Sequence, residues 1–312
     1  MTFRSIISSL ALAGLTALAA SGAQAAEKFN LSPDISNRVR AEKNEAAIKA
    51  ISPTYKFTTP GKFTVAVSPF DPPIATYASD TKTVVGADPD VAQLLADSLG
   101  LQLELVPVAW ADWPLGVTSG KYDAVITNVT VTEQRKEKFD FSTYRQDVVA
   151  FYVKKDSPIK SITKASEVAG LRVIVGSGTN QEKILLEWDR QNVAAGLKPI
   201  EPQYYDDNAA ADLALQSGRA DASFGPNSTR AYSALIKGDT KLVGLVNGGW
   251  PLTADIATVT RKDAGLADAL TIATNALIKD GKYGEVLKRW NLTAEAIPES
   301  RTNPPGLPKS GS

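Results

Sequence analysis

The strongest constraint on the fold is an ordered alternation of strand-like and helix-like segments that begins after residue 60. Residues 63–67, 101–108, 122–127, 148–153, 171–175, 203–205, 222–224 and 242–246 read as strands. Residues 86–100, 113–119, 180–192, 208–217, 228–236 and 265–279 read as helices. Such alternation calls for an α/β fold with parallel strands and helices on both faces. The helix over 86–100 is well punctuated. Asp88 reads as its N-cap, Pro89 as its first residue and Gly100 as its stop, with Val91, Leu94, Leu95 and Leu99 as its buried stripe.

A second regularity divides the chain. Ser119-Gly120-Lys121-Tyr122-Asp123-Ala124 returns as Ser217-Gly218-Arg219-Ala220-Asp221-Ala222. Each copy closes a helix with Gly and opens a strand with Asp-Ala, which suggests two α/β domains on one plan. Because they repeat within a structural unit, Asp123 and Asp221 read as caps for backbone N–H groups rather than as a catalytic carboxylate pair.

Composition removes whole classes of function. The 312 residues, about two domains' worth, carry 34 Lys+Arg and 34 Asp+Glu, with no His and no Cys. Neither a basic excess nor a basic stripe is present, so nucleic acid is not expected as a partner. Cys/His zinc sites, thiol nucleophiles and Ser-His-Asp triads are excluded. No metal and no cofactor is implied. Gly176-Ser177-Gly178-Thr179-Asn180 lies between a strand and a helix, but Gln181 stands where a dinucleotide fingerprint needs a third Gly. Such a loop still offers N–H groups to an anion.

The first residues read as an address. Arg4, an apolar run over 6–20 and Ala23-Gln24-Ala25 form the layout of a cleaved signal peptide over residues 1–25. The run is short of the ~20 apolar residues that a membrane span needs. The mature protein is therefore expected to be exported and free, most simply in a periplasm. Residues 26–60 form a polar N-terminal extension with a short helix over 38–50, and residues 298–312 read as a flexible tail.

The motifs between residues 61 and 292 occur in a telling order. They are Pro72-Pro73; Val85-Gly86-Ala87-Asp88-Pro89-Asp90-Val91; the two Asp-Ala motifs; Thr130-Val131-Thr132-Glu133-Gln134-Arg135; Phe139-Asp140-Phe141-Ser142; Gly178-Thr179-Asn180-Gln181-Glu182; and Asp280-Gly281-Lys282-Tyr283 before Trp290. This set resembles the polar-amino-acid (family 3) type of periplasmic solute-binding protein, the receptor component of ABC importers. The resemblance implies a two-lobed, type II (Venus-flytrap) periplasmic-binding-protein fold with two hinge strands. Lobe 1 would be residues 61–152 plus 257–297, and lobe 2 residues 157–250, closing by hinge motion on a ligand. It implies a monomeric protein that is no enzyme. Such a protein captures a small polar amino acid or amino-acid-like carboxylate and delivers it to a membrane ABC permease. A dehydratase-like periplasmic enzyme or a sensor module on the same fold is the alternative, with Asp71 the one obvious acid or base.

The resemblance also implies a site. Thr132 caps a helix in whose first turn Arg135 matches the family's α-carboxylate arginine; a guanidinium grips a carboxylate through two parallel hydrogen bonds. The competing reading is a surface arginine paired with Glu133 or Glu137. Asn128 and Thr130 match positions that present polar groups to the same ligand. Trp110 matches an aromatic that covers the ligand, unless Trp110 is core and Trp113 the exposed ring. Thr179 and Asn180 complete the carboxylate site. The family's usual amine-binding Asp falls at Pro226, with Asn227 beside it, so that anchor is missing or displaced. Asp71, with Ser68 nearby, is either the replacement anchor for a cation or a turn residue before Pro72-Pro73.

Overall fold

The computed structural model describes residues 28–205 and 207–309. The expected signal peptide, residues 1–25, lies outside the described residues. The strands are β1 (Lys62–Val67), β2 (Thr76–Tyr77), β3 (Val84–Val85), β4 (Gln102–Pro107), β5 (Ala124–Thr130), β6 (Phe139–Lys154), β7 (Arg172–Ile174), β8 (Glu201–Gln203), β9 (Ala222–Pro226), β10 (Thr240–Asn247) and β11 (Ala254–Arg261). The helices are α1 (Glu45–Ala50), α2 (Ala87–Ser98), α3 (Trp113–Thr118), α4 (Glu133–Lys136), α5 (Asn180–Ala194), α6 (Asn208–Gln216), α7 (Asn227–Lys237), α8 (Ala267–Lys279) and α9 (Lys282–Arg289).

Two parallel three-stranded blocks, β4-β1-β5 and β9-β7-β8, are joined in one mixed sheet through β11 and the long strand β6. The order is β4-β1-β5-β11-β6-β9-β7-β8, with β10 also on β6. β1 runs parallel to β4 and β5, and β7 parallel to β8 and β9, whereas β9, β10 and β11 run antiparallel to β6. Residues 139–147 of β6 pair with β11, and residues 148–154 pair with β10. The strand thus changes its pairing partner at Asp147–Val148, within the stretch up to residue 152 that the resemblance assigns to lobe 1. The chain returns between Asn247 of β10 and Ala254 of β11. The sequence pattern reads only 148–153 as strand. The first half of β6 was obscured because its Asp140, Ser142, Thr143, Arg145 and Asp147 are polar yet buried.

The two echoed motifs do the same structural job. Asp123 accepts from the backbone N–H of Thr58 (2.8 Å) and Thr64 (2.9 Å), and Asp221 accepts from that of Arg172 (2.9 Å). Each therefore clamps the start of a neighbouring parallel strand. Apolar layers fill both lobes. Phe63, Leu94, Leu95 and Leu270 belong to the first, while Phe151, Trp188 and Phe224 stack in the second.

Three local expectations are corrected. Gly86, not Asp88, is the N-cap of α2, and Asp88 and Pro89 are buried in its first turn. Gly86 has φ +144° and lies so close to Ile74 that a Cβ would sit 2.3 Å from its carbonyl oxygen, so only glycine fits. The helix in the extension is only α1, capped by Asn44. Arg38 and Arg40 instead tie the extension to lobe 1 through Asp90 (3.0 Å) and Asp97 (2.6 Å). Residues 298–309 do not lie loose. Ser300 donates to the Thr143 carbonyl (2.6 Å), Asn303 N–H to Phe141 (3.0 Å) and Leu307 N–H to Val131 (3.0 Å). The segment completes backbone hydrogen bonds along β6 and at the start of α4, which a Pro- and Ser-rich composition does not advertise.

Candidate ligand-binding cleft

Arg135 links the two lobes. α4 begins where Thr132 Oγ1 accepts from Arg135 N–H at 3.1 Å, the expected cap. One guanidinium nitrogen donates to the Thr130 carbonyl in lobe 1 (2.9 Å) and another to the Gly178 carbonyl in lobe 2 (3.3 Å). Its carbon lies 5.7 Å from the Trp110 ring centre and 5.8 Å from that of Trp113. Glu133 is engaged by Lys136 and by Gly306 N–H, and Glu137 by Lys309. Arg135 thus has no carboxylate partner among the described residues, and desolvation pulls its pKa down to about 10. A guanidinium held in this way favours an incoming carboxylate. Trp113 is the buried ring and Trp110 the half-buried one.

Opposite Arg135, the loop before α5 is partly self-satisfied. Thr179 caps α5 by accepting from Glu182 N–H (3.2 Å), and Glu182 reaches back to accept from Gly178 N–H (2.7 Å). Asn180 donates to the Gly248 carbonyl. The helix N-terminus therefore already holds a carboxylate of its own, and the side chain of Asn180 braces the return crossing between the lobes.

The remaining expected residues are distributed around this gap. Ser68 follows β1; its N–H donates to Thr127 Oγ1 (3.1 Å), and its own buried hydroxyl has no partner among the described residues. Asp71 accepts from Asn208 Nδ2 of lobe 2 at 2.9 Å. Burial raises its carboxyl above the ordinary range, while Arg230 and Lys237 pull it down. Asn227 accepts from the Tyr152 hydroxyl (3.2 Å). Asn128 is turned to another task. It sits at φ +55°, and its side-chain carbonyl accepts from Arg145.

A family model of the bacterial extracellular solute-binding proteins, family 3, matches residues 63–293. The chain belongs to that family. Among family members, the L-cystine-binding protein TcyJ of Escherichia coli (strain K12) is 30% identical over 220 residues, 70% of this chain and 78% of its own. An ancestral arginine-binding protein bound to arginine aligns with a TM-score of 0.65 at 27% identity, over 74% of this chain and 98% of its own. The ancestral amino acid-binding protein AncCDT-1, a precursor of cyclohexadienyl dehydratase, aligns with a TM-score of 0.64 at 26% identity, over 74% and 95%.

In this solute-binding protein the hinge carries a buried ionic network that sequence reasoning missed. Arg145 is fully buried on β6 and pairs with Glu295. Tyr144 donates to Asp88 (2.8 Å), Asn128 N–H to the same carboxylate (3.1 Å), and Gln181 of lobe 2 to Asp147 (3.3 Å). Burial raises the carboxyls of Asp88, Asp147 and Glu295, with Arg145 opposing each. Arg230 was missed as well, although a usable signal existed. Like Arg135, it lies in the first turn of the helix that follows an Asp-Ala strand.

Proposed function

We propose that this protein is the extracytoplasmic receptor of an ABC importer, binding a small polar amino acid or amino-acid-like carboxylate between its lobes. The observation that carries the reading is Arg135, a guanidinium with no carboxylate partner among the described residues that touches both lobes beside Trp110. The ligand's α-carboxylate takes the fork of Arg135, with help from backbone groups at Thr130 and the loop around Thr179. Trp110 covers the ligand, Ser68 offers its hydroxyl, and Asp71 accepts a ligand ammonium. The side chains of Asn128, Asn180 and Asn227 hold the walls in place. The closed form is the one a permease distinguishes, and ligand favours it only through tighter binding to that form.

Export by a cleaved signal peptide and action as a monomer complete the proposal. Among the described residues no helix is long and apolar enough to cross a membrane. An enzymatic reading would need Asp71 as acid or base, and Asp71 is already hydrogen-bonded to Asn208. Native mass spectrometry of freshly purified protein, followed by titration with the twenty amino acids, cystine and diaminopimelate, tests the function. A bound amino acid released unchanged is the expected result. Failure to bind any amino acid, or release of an altered product, would refute it.

A further inference from the structure

Arg230 is placed in lobe 2 as Arg135 is placed in lobe 1. β5 opens after Asp123 and leads to α4, which carries Arg135 in its first turn; β9 opens after Asp221 and leads to α7, which carries Arg230 in its first turn. Arg230 has neither an ion pair nor a hydrogen bond among the described residues, and its Nε is buried without a partner. The side chain folds back on the end of β9, where a Cβ on Gly225 would lie 3.2 Å from that Nε. From there its charge acts on Asp71 of lobe 1, yet the two form no ion pair, and Asp71 is held by Asn208 instead.

We propose that Arg230 forms a second head-group subsite, and that the ligand is an α-amino acid whose far end carries a second carboxylate. This rests on the amino-acid-binding reading above. A buried guanidinium N–H without an acceptor is unfavourable, and a carboxylate answers it with charge and geometry together. Asp71, held by Asn208 of lobe 2, suits a ligand ammonium. A two-carboxylate amino acid offers one carboxylate to Arg135 and the other to Arg230, whereas an amino acid with one carboxylate leaves Arg230 unanswered; a diamino dicarboxylic acid adds a second ammonium within reach of Asp71.

Isothermal titration calorimetry decides the matter on wild type, Arg230→Ala, Arg230→Gln and Arg135→Ala. The probes are cystine, diaminopimelate, glutamate, glutamine and arginine. A two-carboxylate amino acid should bind tightest. Both Arg230 variants should weaken it roughly 30-fold or more, the usual loss when one partner of a desolvated charge pair is removed. Amino acids with one carboxylate should change by less than about threefold. Cystine or diaminopimelate as the tightest ligand supports the pairing with Asp71. Glutamate as the tightest ligand supports the Arg230 subsite and removes the second ammonium. Unchanged binding in both Arg230 variants, alongside lost binding in Arg135→Ala, would overturn the subsite and spare the amino-acid reading. Unchanged binding in Arg135→Ala would overturn both. Thermal melts of the ligand-free variants check folding, and Arg230→Gln decides if Arg230→Ala does not fold.

Discussion

The ring of Phe29 stacks on the ring of Tyr232, with centroids 4.7 Å apart. Phe29 also lies 5.2 Å from Trp290. Tyr232 belongs to α7 in lobe 2, and Trp290 follows α9 in lobe 1, where it donates to Asp90 (2.8 Å). The N-terminal extension, fastened to lobe 1 by Arg38 and Arg40, therefore ends in an aromatic contact that spans the lobes. Phe29→Ala is expected to lower unfolding stability by ~1–3 kcal/mol, given ~0.5–1.5 kcal/mol for each of its two aromatic pairs beyond area burial. Urea unfolding measures this, and an unchanged midpoint would show that the contact does not contribute.

Removing Glu295 should be far more damaging. Arg145 is fully buried, so Glu295→Ala leaves its guanidinium without its ion-pair partner in a dry site. Breaking a buried pair from one side costs ~3–5 kcal/mol. The low end is expected here, because Asn128 still accepts from Arg145 and Asp88 and Asp147 lie close enough to act on it. Denaturant titration of Glu295→Ala beside Glu295→Gln measures the loss, and the amide should recover part of it.

Asp147 should make stability depend on pH. Its carboxyl is raised from 3.8 to about 7, chiefly by burial and then by Glu295, with Arg145, Asn128 and the Val148 N–H opposing. Gln181 also donates to it. The folded state therefore holds a proton more tightly than the unfolded state. This contribution is fully present below the unfolded value near 4 and is lost as pH rises through about 7. Across that range, wild type should lose stability relative to Asp147→Asn. Parallel pH profiles for the two proteins would mean that Asp147 stays ionised in the hinge.

Arg135→Ala should abolish most ligand binding while leaving the melting temperature of the ligand-free protein nearly unchanged. Among the described residues Arg135 has no carboxylate partner to strand when it is removed, so little folding stability is at stake. Loss of one member of a desolvated charge pair costs ~2–5 kcal/mol, or roughly 30-fold and more in affinity. Arg135→Lys should recover only part, because an ammonium lacks the planar fork. Calorimetric affinity within about threefold of wild type for Arg135→Ala would remove the carboxylate assignment.

What the sequence determined by itself is what short-range chemistry encodes. Thr132 caps α4 through a hydrogen bond three residues away, and Asp123 and Asp221 clamp strand entrances whose Asp-Ala motifs can be read directly. The alternation of β and α segments follows from local apolar spacing, and motif order identified the family. Tertiary structure decided whatever depends on partners distant in the chain. Among the described residues Arg135 is without a carboxylate partner because Lys136, Gly306 and Lys309 engage the neighbouring acids. The side chain of Asn128 is engaged within lobe 1 because Arg145 donates to its carbonyl. Arg145 is tolerable in the interior because Glu295 meets it from the other end of the chain. The first half of β6, the extension that ends at Phe29 and the anchored 298–309 segment went unread for the same reason. Each is held by buried polar or aromatic contacts between remote residues, and such contacts leave no periodic trace in the segments that make them.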